Sequence, residues 1–154
     1  MFRSTIVAIT LLVFPATSLA DDWPGARTAT VFSEDGTHFV RVIPGESIGD
    51  LLGFQGSKRG AYAKALYYEL QPDRSYRLAA ELFLLNPVAP VDLLLSNSGY
   101  LIAFDNWHNV GYGKAVAIYG PDGIPVASWE LDRLYEKTRL KSIAMSVSSR
   151  WWRC

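Results

Sequence analysis

After residue 20 the apolar positions fall into short runs that alternate with polar ones and are divided by turn residues. A period of two, punctuated by Gly, Pro, Asn and Asp, predicts strands rather than helices. Residues 28–33 are β-rich, Glu34-Asp35-Gly36 turns them, and residues 37–43 return until Pro44. Residues 61–70 carry alanines that favour helix, while Tyr62, Leu66, Tyr68 and Leu70 fit one face of a strand. The turn Gln71-Pro72-Asp73-Arg74 and the apolar run 76–85 behind it favour a hairpin.

The second half repeats the plan. Runs at 91–95 and 100–104 flank Ser96-Asn97-Ser98-Gly99, and runs at 115–119 and 126–131 flank Gly120-Pro121-Asp122-Gly123. Proline presets φ and glycine accepts the positive φ that such turns need. Residues 105–113 form a loop between them, and residues 131–135 suggest a short helical turn. Ser33-Glu34-Asp35-Gly36-Thr37 and Ser96-Asn97-Ser98-Gly99-Tyr100 mark an internal repeat with an offset of 63 residues. The expectation is an all-β fold of two consecutive four-stranded antiparallel meanders, about 28–85 and 91–131, propeller-like or sandwich-like. Two blades leave open strand edges. The edges are then closed by sandwich packing, covered by a partner or a second copy, or left by an incomplete copy of a longer repeat. Residues 146–154 read as the start of a further strand.

The first twenty residues follow a different pattern. Arg3 precedes the apolar run 6–14, Pro15 interrupts it, and Ser18-Leu19-Ala20 offers small residues to a signal peptidase. The run is shorter than the roughly 20 apolar residues of a membrane span. A signal peptide over 1–20 is expected, with a single domain over 21–154 in the secreted or periplasmic space and no stable membrane span after cleavage. Cys154 is the only cysteine, so an intrachain disulfide is excluded and intermolecular pairing is the remaining option.

Charge narrows the function classes. Fifteen basic residues balance fifteen acidic ones, and removing Arg3 leaves fourteen against fifteen. That balance leaves no basic excess for nucleic acid. An apolar share of 49% is too high for a disordered chain.

Leu85-Asn86-Pro87-Val88-Ala89-Pro90-Val91, Ser96 to Gly99, and Phe104-Asp105-Asn106-Trp107-His108-Asn109-Val110-Gly111-Tyr112-Gly113 together resemble uncharacterised secreted bacterial proteins with propeller-like, WD-repeat-like blades. The resemblance covers roughly residues 28–154. It implies an exported, repeat-built β-protein and implies no activity. The closing Trp-Asp dipeptide of WD repeats is absent.

Candidate chemistry concentrates in one loop. Asp105, Asn106, Trp107, His108, Asn109 and Tyr112 form the densest polar and aromatic cluster. An aspartate three positions from a histidine suits general-base chemistry. The aromatic rings with two asparagines suit a sugar, and Asp, Asn and Gly also suit a purely structural loop. Gly45-Glu46-Ser47-Ile48-Gly49 matches a nucleophile elbow, but Pro44 intervenes after the strand, and Gly53 and Gly56 follow too closely for the firm helix the elbow needs. Ser57-Lys58-Arg59-Gly60 reads as a solvated turn. Trp151 and Trp152, between Arg150 and Arg153, read as an interface or as the start of the further strand. No metal site or cofactor is expected, since His38 and His108 lie 70 positions apart and no phosphate loop occurs. The leading expectation is an exported non-catalytic binding or scaffold domain recognising a protein or glycan. The alternative is a small exported hydrolase using Asp105 and His108.

Overall fold

A computed structural model describes residues 24–46, 60–146 and 149–153. The expected signal peptide, Ser47 to Gly49 of the elbow motif, residues 57–59 of the basic turn and Cys154 lie outside them. Eight strands form two antiparallel four-stranded sheets. The first holds β1 (Ala29–Phe32), β2 (His38–Ile43), β3 (Lys64–Leu70) and β4 (Tyr76–Phe83) in sequential order. The second holds β5 (Asp92–Leu95), β6 (Leu101–Phe104), β7 (Val116–Tyr119) and β8 (Pro125–Trp129), again sequentially. Two short helices follow, α1 (Leu131–Leu134) and α2 (Lys137–Ser142).

The tight turns are built the same way in both sheets. Asp73 Oδ1 accepts the Ser75 N–H at 2.9 Å and Asp122 Oδ1 accepts the Ile124 N–H at 3.0 Å. Each aspartate follows a proline and bends the chain with its own side chain. The residue after it takes positive φ, 66° at Arg74 and 80° at Gly123. The remaining hairpin turns meet each other, because the Asp35 N–H donates to Asn97 Oδ1 at 3.1 Å.

One face of each sheet enters a common core. Val40, Val42, Ala65, Tyr67 and Leu84 come from the first repeat, and Leu95, Leu101, Ala103, Ala117 and Tyr119 from the second. The register shows how the sheets stack. In the first sheet the pair nearest the tight turn, Phe32 with Phe39, points away from the core, and Val31 with Val40 points into it. In the second sheet the pair nearest the turn, Leu95 with Leu101, itself points inward. Phe32 and Leu95 are 63 positions apart, whereas Phe39 and Leu101 are 62 apart. The two sheets thus offer opposite faces of the same pattern, since side chains alternate with a period of two. The front of one lies on the back of the other, as successive blades stack. A two-fold sandwich would use the same face twice. The sheets converge at their first strands, where Cα atoms of β1 and β5 come within 8 Å.

The outer face of the second sheet carries a second, smaller core. Ala115, Leu131 and Trp152 pack with Phe104, Val116, Tyr135, Leu140 and Ile143. Among the described residues of 146–154 none lies in a strand. They make a single bridge, Met145 with Arg150. The Arg150 N–H goes instead to the Asn109 carbonyl at 2.9 Å, so the tail binds the 105–113 loop rather than a sheet edge.

Candidate functional site

The loop after β6 is the place the sequence singles out, and its backbone explains its composition. Asp105, His108 and Asn109 have φ of 56°, 83° and 52°. Asp and Asn tolerate this left-handed region better than other side-chain-bearing residues. Gly111 lies at φ 76°, and a Cβ there would come within 1.8 Å of Leu131 Cδ1. The loop needs glycine at that point so that α1 can close on it.

Asp105 is 0% exposed. Its Oδ1 accepts the N–H groups of Asn106 at 2.7 Å and Gly111 at 2.9 Å, and its Oδ2 accepts the indole N–H of Trp152. Burial pushes its carboxyl pKa up, against the opposing pull of these three donors and of the Arg153 charge. Asn86, also fully buried, donates from Nδ2 to the Asp105 carbonyl at 2.7 Å and to Asn106 Oδ1 at 3.2 Å. Asn106 Nδ2 in turn donates to the Tyr112 carbonyl. Asp105 and Asn106 therefore face inward and hold the loop, the segment joining the sheets and the tail together.

The other four residues point to different places. Trp107 is half-buried and donates its indole N–H to the Pro24 carbonyl at 3.0 Å. His108 is half-buried, burial pushes its pKa down, and its carbonyl accepts Ser149 Oγ at 3.3 Å. Asn109 holds the tail at Arg150, while Tyr112 is exposed. The Trp151–Trp152 pair also divides. Trp151 is 58% exposed, but Trp152 is 7% exposed, so Trp152 offers no surface to a partner. Its indole is turned inward by the buried carboxylate. Gly45 of the elbow motif has a packing role: its N–H reaches the Val88 carbonyl at 2.7 Å, and a Cβ would come within 2.1 Å of the Pro87 oxygen.

Of the six, Trp107 faces the groove beside β1. It walls this open groove of about 360 Å³ with Arg27, Ala89, Pro90 and Val91. The groove continues past Ala29, Pro90 and Val91 into a hollow of about 230 Å³ that reaches Asp92 and Leu93. It runs between β1 and β5, each the edge strand of its sheet. Sequence reasoning did not find Arg27 or Pro90 as site residues. The available signal was Pro87-Val88-Ala89-Pro90, a segment whose prolines keep it out of both sheets. Among the described residues no cluster of three or more His, Cys, Asp or Glu side chains is placed to hold a metal, and no helix is long and apolar enough to cross a membrane. No protein family, curated protein or solved structure matches this chain.

Proposed function

We propose that the protein is an exported, non-catalytic binding domain that holds an extended polypeptide in the groove between β1 and β5. Export rests on the signal-like pattern of residues 1–20. The observation that carries the binding reading is the groove itself, walled by Trp107 and flanked by two edge strands. Edge strands present unpaired backbone donors and acceptors, which suit an extended chain better than a compact small molecule. Trp107 is anchored through its indole N–H, so its ring offers apolar area at little further cost in side-chain freedom. Ala89, Pro90 and Val91 continue the apolar wall, and Arg27 supplies one cation for an acidic side chain or terminus. A sugar site needs several side-chain partners for hydroxyls, and the wall around Trp107 offers few. The hydrolase alternative draws no support from Asp105, whose carboxylate is buried and accepts three internal hydrogen bonds.

The test is selection from a displayed library of extended peptides, run in parallel with an array of oligosaccharides. Wild type is expected to enrich peptides, and Trp107→Ala to lose them by tenfold or more while retaining its fold. Retention of oligosaccharides alone, or peptide binding indifferent to Trp107→Ala, would overturn the reading.

A further inference from the structure

The stacking of the two sheets leaves a defined surface without its counterpart. In the second sheet the turn-proximal pair Leu95 and Leu101 is 8% and 0% exposed, because the first sheet lies on it. The corresponding pair in the first sheet is Phe32 and Phe39, and Phe32 is 56% exposed. Around it lie Tyr68, Tyr76 and Leu78, all directed to the same outer face by the register. Phe39 and Tyr68 stack with centroids 4.4 Å apart, and Tyr76 meets Phe39 edge-on at 4.8 Å. Contiguous exposed apolar surface of this kind commonly marks an interaction site. The aromatic cluster sits at the tight-turn end, whereas the other end is mixed, with Phe83 60% exposed among charged side chains. Toward the other end the same face carries Arg41 and the Lys64–Glu81 ion pair at 2.6 Å.

The second sheet has an outer face of matching form. Leu94, Ile102 and Ile118 lie there at the tight-turn end, and Leu94 is 53% exposed. The described part of the C-terminal segment packs over the opposite end, against Phe104 and Val116. So the open half of the second sheet and the aromatic half of the first sheet lie at the same end of the stack.

We infer that the aromatic outer face of the first sheet is an interface for a second copy of this chain, which seats the open half of its second sheet there. The contact repeats between molecules the front-on-back packing already present within one molecule. The bare face of the first sheet corresponds to the face that the second sheet buries, so a second sheet seated there continues the stacking. Such a contact is head-to-tail: each copy uses two different surfaces, and association continues into a ring or a longer stack. It involves neither Trp152 nor the groove beside Trp107, so it stands apart from the polypeptide site.

The test uses the exported full chain, with Phe32→Glu blocking one surface and Leu94→Glu the other. Both sites are more than half exposed, and circular dichroism checks that each variant folds; Leu78→Glu and Leu94→Ser replace any that does not. Sedimentation at tens of micromolar is expected to show wild type associated and each variant monomeric. Mixing the two variants is expected to restore a one-to-one dimer, because each keeps the surface that the other lacks. A monomeric wild type overturns the inference. So does a Leu94→Glu variant that associates like wild type, which indicates packing of first sheet on first sheet, and so does a mixture that stays monomeric.

Discussion

Trp152 donates its indole N–H to the buried carboxylate of Asp105, a residue 47 positions earlier in the chain. The bond joins the tail to the loop after β6 and gives the otherwise costly buried oxygen a donor. Around it the second small core closes over the end of the second sheet.

Removing either partner leaves polar groups stranded. Asp105→Ala abandons two backbone N–H groups and the indole, and each buried unsatisfied group costs roughly 1–3 kcal/mol. Trp152→Phe removes only the donor and is expected to cost less than Asp105→Ala. Urea unfolding measures both. An Asp105→Ala variant as stable as wild type would show that the loop stands without its carboxylate.

Asp105 also gives a pH signature. Burial raises its folded-state pKa above the ordinary value of 3.8. A raised carboxyl favours folding most below the unfolded value, and that contribution is lost as pH rises through the folded value. Asp35 and Asp73, whose pKa values are lowered by hydrogen bonds from Thr37 and Ser75, work in the opposite direction. The stability difference between wild type and Asp105→Asn cancels those two groups and isolates the buried one. It is expected to shift against wild type as pH rises from about 4, measured by melting temperature across the acid range.

Two buried tyrosines make opposite predictions. The Tyr119 hydroxyl accepts the Leu85 N–H at 2.8 Å, so Tyr119→Phe strands that donor and is expected to cost about 1–3 kcal/mol. The Tyr67 hydroxyl is buried without a hydrogen-bond partner among the described residues, so Tyr67→Phe is expected to be neutral or stabilising. Burial raises the pKa of Tyr119 from 10.0 to about 12 and that of Tyr67 further. Their contribution is intact below pH 10.0 and is lost as pH climbs through the raised values, so alkaline unfolding is expected there. Tyrosine absorbance followed alongside circular dichroism reads both events.

Gly111→Ala combines a strained φ with a collision against Leu131. A residue with a side chain held in the left-handed region costs on the order of 1–3 kcal/mol before any clash. The expected result is a lower melting temperature with α1 less protected in hydrogen exchange. Unchanged exchange in residues 131–134 would mean that α1 does not depend on the close approach.

All eight strands were legible because alternation and turn chemistry agree at each hairpin. Their ends were less so: the expected strand over 61–70 starts at Lys64, and the one over 76–85 stops at Phe83. Ala63 and Leu84 still bond to each other, Leu84 N–H to Ala63 carbonyl at 2.7 Å, just beyond those limits. α1 falls within the expected helical turn, while α2 spans six residues and lacks a side-chain cap, so nothing local announces it. The stacking of the sheets was hidden because it turns on one residue between Phe32 and Phe39, which the glycine spacing does not show. In the loop after β6 the sequence marked the polar and aromatic residues and offered a structural role among its readings, but not which way each side chain faces. Whether an aspartate faces solvent or core depends on a tryptophan far along the chain, and no local pattern encodes that.

The latch between Asp105 and Trp152 also places events in time. Both sheets and their shared core are complete by Trp129. A chain that emerges amino-terminus first can assemble that core before the tail exists, as folding during synthesis proceeds from the leading end. During that interval Asp105 is hydrated and charged, and Phe104 and Val116 are wet. Docking of Trp152 is then the finishing step, the one that turns a solvent-adapted loop into an interior one. Any chaperone or protease that reaches the chain in that interval meets the unlatched second sheet before the finished molecule.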